Sequence, residues 1–229
     1  MKIAFCGDSF CRTDQPGSWP LLVAQHLDAE IVSTGISGVA LYHSYESLIT
    51  VVDVADYVIF CITEPNRLAN KNAFPISVNS RWRKHEAEGY LPFKRALTLN
   101  FKQNFKRANL AADAYYKELI NFEYHDFVQK LIIQEIDKLM VQKQKKCIWF
   151  PCFDTSMQEY VPISGPLANV PLSTISYGEY DTTKMSKQEM FDTMRYDTRV
   201  CHLNEQNNKS LADLVINIIK NNDFEPRKI

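Results

Sequence analysis

Glycine and polar residues follow four apolar runs of the chain, at the positions where an α/β protein binds its ligands. These segments are residues 7–9, 35–38 and 63–67 and the residues from Pro151 onward. Ligands of open parallel sheets bind beyond the carboxyl ends of the strands, so these segments are the first candidates for a site. Ser9 offers nucleophilic chemistry there, because a serine after Gly7 in a tight turn presents its hydroxyl and its backbone N–H at the rim of the sheet. The same serine could simply cap a helix.

An alternation of strand and helix patterns has to position these segments. Apolar runs predict strands at residues 2–6, 30–34, 57–62 and 147–150. Amphipathic spacing predicts helices after Ser18 and over residues 42–52, 127–140 and 211–219. Residues 173–177 could add an edge strand. This order favours a parallel sheet with right-handed crossovers. We therefore predict a single α/β domain over residues 1–229, with a flavodoxin-like three-layer α/β/α architecture around a central parallel sheet.

A polar, basic and aromatic stretch from residue 67 to about residue 125 interrupts the alternation. Its basic residues include Arg81, Arg83, Lys84, Lys94, Arg95, Lys102, Lys106 and Arg107. We interpret the stretch as a large insertion after the third strand. It is either a solvated helical segment or a lid or cap that recognises an anionic group. Long insertions often lie near functional sites.

Charge and composition exclude several classes of function. The chain has 26 Lys and Arg against 27 Asp and Glu, so its net charge creates no strong electrostatic field that would attract nucleic acid or an anionic membrane. We expect neither partner.

No apolar run reaches the length of a signal-peptide core or a membrane span, which predicts a cytoplasmic protein. Cys6, Cys61 and Cys147 lie inside apolar runs and indicate reduced core thiols. No CxxC pair accompanies suitably spaced histidines, so we expect no metal.

Two segments of the chain resemble sequence blocks of the SGNH (GDSL-like) hydrolase family. GDSF at residues 7–10 is similar to the block that holds the family's nucleophile, and TGISG at residues 34–38 is similar to the second block. The resemblance implies Ser9 as the nucleophile and the backbone N–H of Gly38 as a donor to the oxyanion hole. It also implies that Asp8 accepts hydrogen bonds that stabilise the turn. As a polar chain with an insertion and no predicted secretion signal, it is similar to some bacterial or phage-encoded members of the family. A phage-encoded protein could be associated with the virion.

The third block departs from the family's pattern. The family reads like GTND at the end of the third strand, whereas this chain reads TEPNR at residues 63–67. The resemblance makes Asn66 the candidate whose side chain completes the oxyanion hole. The inserted Glu-Pro pair shifts the register, so that Thr63 or Arg67 could face the site instead.

The last block of the family is an Asp-x-x-His before the final helix. His202 precedes the closing amphipathic helix in the same way, which implies the general base. The residue three positions before it is Arg199, which cannot accept the imidazole N–H. Either Asp197 orients the histidine, or a Ser–His dyad works with a backbone carbonyl as its support. Asp8, Arg67 and Arg199 are further candidates for contacting the substrate.

The resemblance implies a serine esterase that forms an acyl-enzyme on Ser9. A serine hydroxyl is almost never ionised at neutral pH, so His202 must remove its proton during attack, and an unperturbed histidine with a pKa of about 6.5 is neutral enough to do so. The oxyanion would be held by the N–H groups of Ser9 and Gly38 and by the Asn66 side chain. No cofactor is needed. Because no extended apolar lid is evident, we expect a small acyl group such as acetyl, on a small molecule or a glycan.

Two other interpretations remain open at this stage. The unusual third block and Arg199 also suit a protein of the same fold that has lost turnover and serves as a binding or structural module. A nucleotide-binding protein is the third possibility. Neither GxGxxG nor a Walker sequence follows any predicted strand, which argues against it.

Overall fold

The computed structural model describes residues 1–70, 99–153, 160–177 and 202–229, which include a parallel four-stranded sheet. The strands are β1 (Lys2–Cys6), β2 (Glu30–Ser33), β3 (Tyr57–Ile62) and β4 (Lys146–Pro151). They lie in the order β2-β1-β3-β4, and every pairing is parallel. This is the order of the first four strands of a flavodoxin-like sheet. The predicted α/β class is confirmed.

The helices connect and follow these strands. They are α1 (Trp19–His26), α2 (Leu41–Val51), α3 (Leu99–Glu118), α4 (Phe122–Gln142), α5 (Leu172–Tyr177) and α6 (Glu205–Lys220). Their positions agree with the predicted helices after Ser18 and over residues 42–52, 127–140 and 211–219. Among the described residues, no helix is both long and apolar enough to span a membrane.

The predicted edge strand at residues 173–177 is wrong, because this segment forms helix α5. Residues before this segment contact the edge of β4 instead. The N–H of Ala168 donates to the Trp149 carbonyl at 2.9 Å, and Leu167 forms a parallel bridge with Trp149. Pro171 then precedes a helix whose Leu172 is buried, and proline is well suited to a helix start.

The sheet separates two apolar cores, which gives the three layers predicted. Side chains alternate along β1, so that Ile3 and Phe5 belong to one core and Ala4 and Cys6 to the other. The first core contains residues of α1 and α6, and the second contains residues of α2 and α4. Because both faces of the sheet are covered, β1, β3 and β4 are almost continuously apolar.

The region between β3 and β4 holds two long helices. Residues 99–118 of the predicted insertion form α3, as the helical interpretation expected, and α4 begins at Phe122. Most of the basic residues of the insertion lie outside the described residues or have side chains that the structure does not describe. The alternative, an anion-recognising lid or cap, therefore stays a prediction.

Within the part of the chain that the structure describes, the cysteines are buried free thiols: Cys6, Cys11, Cys61, Cys147 and Cys152. Burial raises the pKa of the Cys6 thiol to about 12, so this group stays protonated. The prediction of reduced core cysteines is confirmed for Cys6, Cys61 and Cys147.

The loops after β1 and β2 are bonded directly to each other. The N–H of Gly35 donates to the Cys11 carbonyl and the N–H of Ile36 donates to the Gly7 carbonyl, both at 3.0 Å. A Cβ atom on Gly35 would lie 2.2 Å from the Asp8 carbonyl oxygen and 2.6 Å from the Cys11 sulfur. Only glycine lets the two loops approach this closely.

Gly35→Ala is therefore expected to destabilise the protein by about 3 kcal/mol or more, because the backbone atoms that meet the new methyl group cannot move independently. Urea unfolding followed by circular dichroism measures the effect. Gly17→Ala is the control. Gly17 has φ +79° but open space around its Cβ position, so its cost is the backbone strain of about 1 kcal/mol alone. Equal losses in the two variants would contradict the close approach of the loops.

Candidate active site

Ser9 lies in a short 3₁₀ turn, Ser9–Cys11, directly beyond the carboxyl end of β1. Asp8 begins this turn, and its carboxylate accepts a hydrogen bond from the N–H of Phe10 at 3.1 Å. Gly7 has φ +153°, and a Cβ atom there would lie 2.5 Å from the Cβ of Cys61 on β3. The glycine therefore lets the chain turn against the neighbouring strand and leaves Ser9 half-buried at the end of the sheet.

His202 meets Ser9 from the other end of the chain. Its Nε2 lies 3.0 Å from the Ser9 Oγ, although 193 residues separate the two in sequence. The ring packs against the Phe10 ring, with the centroids 5.0 Å apart. His202 has φ +67°, in the left-handed region, which costs a residue other than glycine of order 1–3 kcal/mol. Such strain persists only where the surrounding structure holds the residue firmly.

The start of helix α6, which follows His202 directly, is held firmly by hydrogen bonds. The side chain of Asn204 caps the helix by accepting a hydrogen bond from the N–H of Asn207 at 2.6 Å. The buried side chain of Asn208 accepts from the N–H of Trp19 at 2.8 Å and donates to the carbonyl of Leu203 at 2.9 Å. These bonds hold the start of α6 against the start of α1. They thereby restrain the backbone of His202, which lies just before the helix.

The Asp8 carboxylate is completely buried and satisfied by several donors. Its Oδ2 accepts from Arg67 Nη1 at 2.8 Å and from Thr63 Oγ1 at 3.2 Å. Its Oδ1 accepts from the Cys152 thiol at 3.3 Å as well as from the N–H of Phe10. Burial raises the pKa of Cys152 to about 12, so the thiol keeps the proton that it donates.

Arg67 connects the loops at this end of the sheet. Its side chain is 6% exposed, and Nη1 also donates to the Val39 carbonyl at 3.3 Å. Its Nε lies 3.7 Å from a Glu64 carboxylate oxygen, and its guanidinium carbon lies 5.2 Å from the centre of the Phe153 ring. One side chain thus contacts the loops after β1, β2 and β4 from its own place after β3.

Asp8 and Arg67 are buried and bound to each other, and they hold loops together. The Thr63 hydroxyl is also buried against Asp8. That Asp8 or Arg67 contacts the substrate, and that Thr63 or Arg67 faces the site, stay predictions. Asp197 and Arg199 lie outside the described residues, so their predicted roles stay predictions.

Gly38 and Asn66 occupy turns beyond β2 and β3. Gly38 has φ +72°, a conformation that favours glycine, and the next carbonyl, that of Val39, is held by Arg67. The Asn66 backbone carbonyl accepts a hydrogen bond from the Tyr116 hydroxyl. The Asn66 Oδ1 is buried without a hydrogen-bond partner among the described residues. Leaving a buried acceptor unpaired costs about 1–3 kcal/mol, so its presence needs an explanation.

A groove of about 210 Å³ lies beside these loops. It is bounded by the start of α2, by the loop after β3 and by the first half of α4. Its lining includes Ala40, Leu41, Pro65 and Ile132, with the Glu64 carboxylate among them. Within the described residues, no group of three or more His, Cys, Asp or Glu side chains could hold a metal ion.

Sequence reasoning missed Cys152 and the side chains of α3 and α4 that contact the loop after β3. A signal for Cys152 existed, because it follows β4 directly and so lies at the same end of the sheet as Ser9. No signal existed for Tyr116, which belongs to a stretch without clear periodicity.

Solved structures that are similar to this chain include the following two. A structure from Desulfitobacterium hafniense DCB-2, described as a lipolytic protein of the G-D-S-L family, has a TM-score of 0.44 and 12% identity, over 95% of this chain and 98% of that one. An acetyl xylan esterase has a TM-score of 0.44 and 14% identity, over 96% of this chain and 100% of that one. No protein-family model and no curated protein matches the sequence.

Removing the Arg67 guanidinium is expected to destabilise the fold strongly. Arg67→Met leaves Asp8 as a buried charge without its cation, which typically costs about 3–5 kcal/mol. Asp8→Asn combined with Arg67→Met removes both charges and is expected to recover part of that loss. Urea unfolding of the single and double variants measures this. Arg227→Met, which breaks a surface pair with Asp223, is the control and should change stability little. A double variant less stable than Arg67→Met alone would refute the charge argument.

Proposed function

We propose that this protein is a serine hydrolase of the SGNH (GDSL-like) type that cleaves small acyl esters, with Ser9 as nucleophile and His202 as general base. The observation that carries the proposal is the 3.0 Å distance between Ser9 Oγ and His202 Nε2. Nucleophilic attack by serine requires a base within hydrogen-bond reach of the hydroxyl. The GDSF and TGISG segments support the proposal, because they follow β1 and β2, where the family has its first two blocks.

In the first half of the reaction, Ser9 Oγ bonds to the ester carbonyl carbon while His202 Nε2 accepts the hydroxyl proton. The carbonyl π electrons move to the oxygen and create a tetrahedral oxyanion. Its collapse breaks the bond to the alcohol, which leaves with the proton from His202. The acyl group stays on Ser9. In the second half, water attacks the acyl-enzyme by the same steps, and the acid is released while Ser9 regains its proton.

The oxyanion needs donors that stand ready before the reaction. We assign this task to the backbone N–H groups of Ser9 and Gly38 and to the Asn66 side-chain amide. Gly38 has a positive φ, a conformation that favours glycine. Its assignment to the oxyanion hole is supported because a residue without a side chain lets substrate approach its backbone N–H. Asn66 is assigned because its side-chain NH2 group can donate to an oxyanion and because the resemblance to the family implies this donor after β3.

A serine-directed fluorophosphonate should modify Ser9 alone, and the reaction should depend on His202. Ser9→Ala is expected to abolish the adduct, and both Ser9→Ala and His202→Ala should lower kcat for p-nitrophenyl acetate by about 10³-fold or more. Intact-protein and peptide mass spectrometry detect the adduct. Ser210→Ala and His26→Ala, both on exposed helix surfaces, are the matched controls and should behave like the parent protein.

If the parent protein takes no adduct and hydrolyses no ester, the catalytic proposal is wrong. A binding or structural role for the same fold would then be the better interpretation. An adduct on another serine would also refute the assignment of Ser9.

We infer further that the acyl group is small, such as acetyl, carried by a small molecule or a glycan. The sequence offers no extended apolar lid to cover a long chain. The kcat/KM for p-nitrophenyl acetate should exceed that for p-nitrophenyl octanoate by about 10-fold or more. Steady-state kinetics at matched, monomeric substrate concentrations measure this ratio, and a preference for octanoate would overturn the inference on acyl size.

A further inference from the structure

Side chains of α3 and α4 bind three carbonyl oxygens of the loop after β3, residues 63–70, here called the β3 loop. The Gln129 amide donates to the Thr63 carbonyl at 2.6 Å. His125 Nδ1 lies 3.2 Å from the Pro65 carbonyl, and the Tyr116 hydroxyl donates to the Asn66 carbonyl. The two helices therefore hold the backbone of the β3 loop, which carries Asn66.

The His125 ring is oriented through both of its nitrogens. A carbonyl oxygen can only accept, so Nδ1 carries the proton that is donated to Pro65. Nε2 lies 2.8 Å from the Tyr115 hydroxyl and accepts from it when the ring is neutral. Tyr115 belongs to α3 and His125 to α4, so this chain of bonds joins both helices to one loop.

Helix α3 also packs against the β3 loop. Ala108, Ala112 and Tyr116, spaced four residues apart on one face of the helix, form a small apolar cluster with Leu68. Burial raises the pKa of Tyr116 above its ordinary value, so the hydroxyl stays protonated and remains a donor. The contact with the loop is thus both apolar and hydrogen-bonded.

We propose that Tyr116 is a positioning residue for the Asn66 amide. Through Tyr116, His125 and Gln129, helices α3 and α4 hold the β3 loop, which carries this donor of the proposed oxyanion hole. The inference rests on the proposed function. Asn66 lies between two anchors: its own carbonyl is bound by Tyr116, and the next residue, Arg67, is bound to Asp8 beside Ser9. Releasing the first anchor lets the Asn66 backbone turn, which moves its amide relative to the developing oxyanion.

A double-mutant cycle tests this coupling. Tyr116→Phe should lower kcat for p-nitrophenyl acetate by about 10-fold while KM changes by less than about 2-fold, because an interaction specific to the transition state is weakened. Asn66→Ala should lower kcat by about 10²–10³-fold. Tyr116→Phe should have no further effect in the Asn66→Ala background, since Tyr116 acts through Asn66. Rates are expressed per site titrated with fluorophosphonate, so that partial unfolding does not count as lost catalysis.

Tyr124→Phe is the matched control, because this tyrosine is 59% exposed on α4 and should retain the parent kcat. An unchanged kcat in Tyr116→Phe, or effects of Tyr116→Phe and Asn66→Ala that multiply, would overturn the inference and leave the proposed function standing. An unchanged kcat in Asn66→Ala would overturn both the inference and the assignment of Asn66 to the oxyanion hole, while the roles proposed for Ser9 and His202 would stand. A parent protein that takes no adduct and shows no turnover would overturn both.

Discussion

The buried ion pair between Asp8 and Arg67 holds together the loops that carry the candidate site. A carboxylate with no exposed surface is stable only when cations and hydrogen-bond donors surround it, and Arg67 Nη1 lies 2.8 Å from its oxygen. The same guanidinium also contacts the Val39 carbonyl and the Phe153 ring. The loops after all four strands are therefore joined at one charged centre, and its carboxylate belongs to the residue next to Ser9.

The parallel sheet explains why such a centre can exist. All four strands run in the same direction, so their carboxyl ends meet at one edge, and polar loop residues from distant parts of the sequence converge there. His202 reaches this edge differently, from the start of a helix whose Asn208 is bonded to the start of α1. The strained backbone of His202 is held by these contacts, and its ring reaches Ser9 for that reason.

Periodicity predicted most of the elements, because strands with both faces buried are continuously apolar and helices over a core are amphipathic. It failed at residues 173–177, where the apolar pattern of a short helix resembles that of a strand, and the edge of β4 was already covered by Leu167. Ser9 and His202 became candidates because their segments resemble sequence blocks of a known family beside recognisable elements. The support of the β3 loop by Tyr116 was not predictable, since a hydrogen bond to a backbone carbonyl leaves no pattern in the sequence.

The amino-acid sequence by itself determined the α/β class and the order of the elements, because local periodicity can be read one segment at a time. It also made Ser9 and His202 candidates, through the resemblance of short segments to a known family. The tertiary structure decided which polar residues meet. It brought His202 to Ser9, buried Arg67 against Asp8 and set α3 against the β3 loop. Contacts between distant segments depend on how the packed layers align, and that alignment is a property of the whole fold.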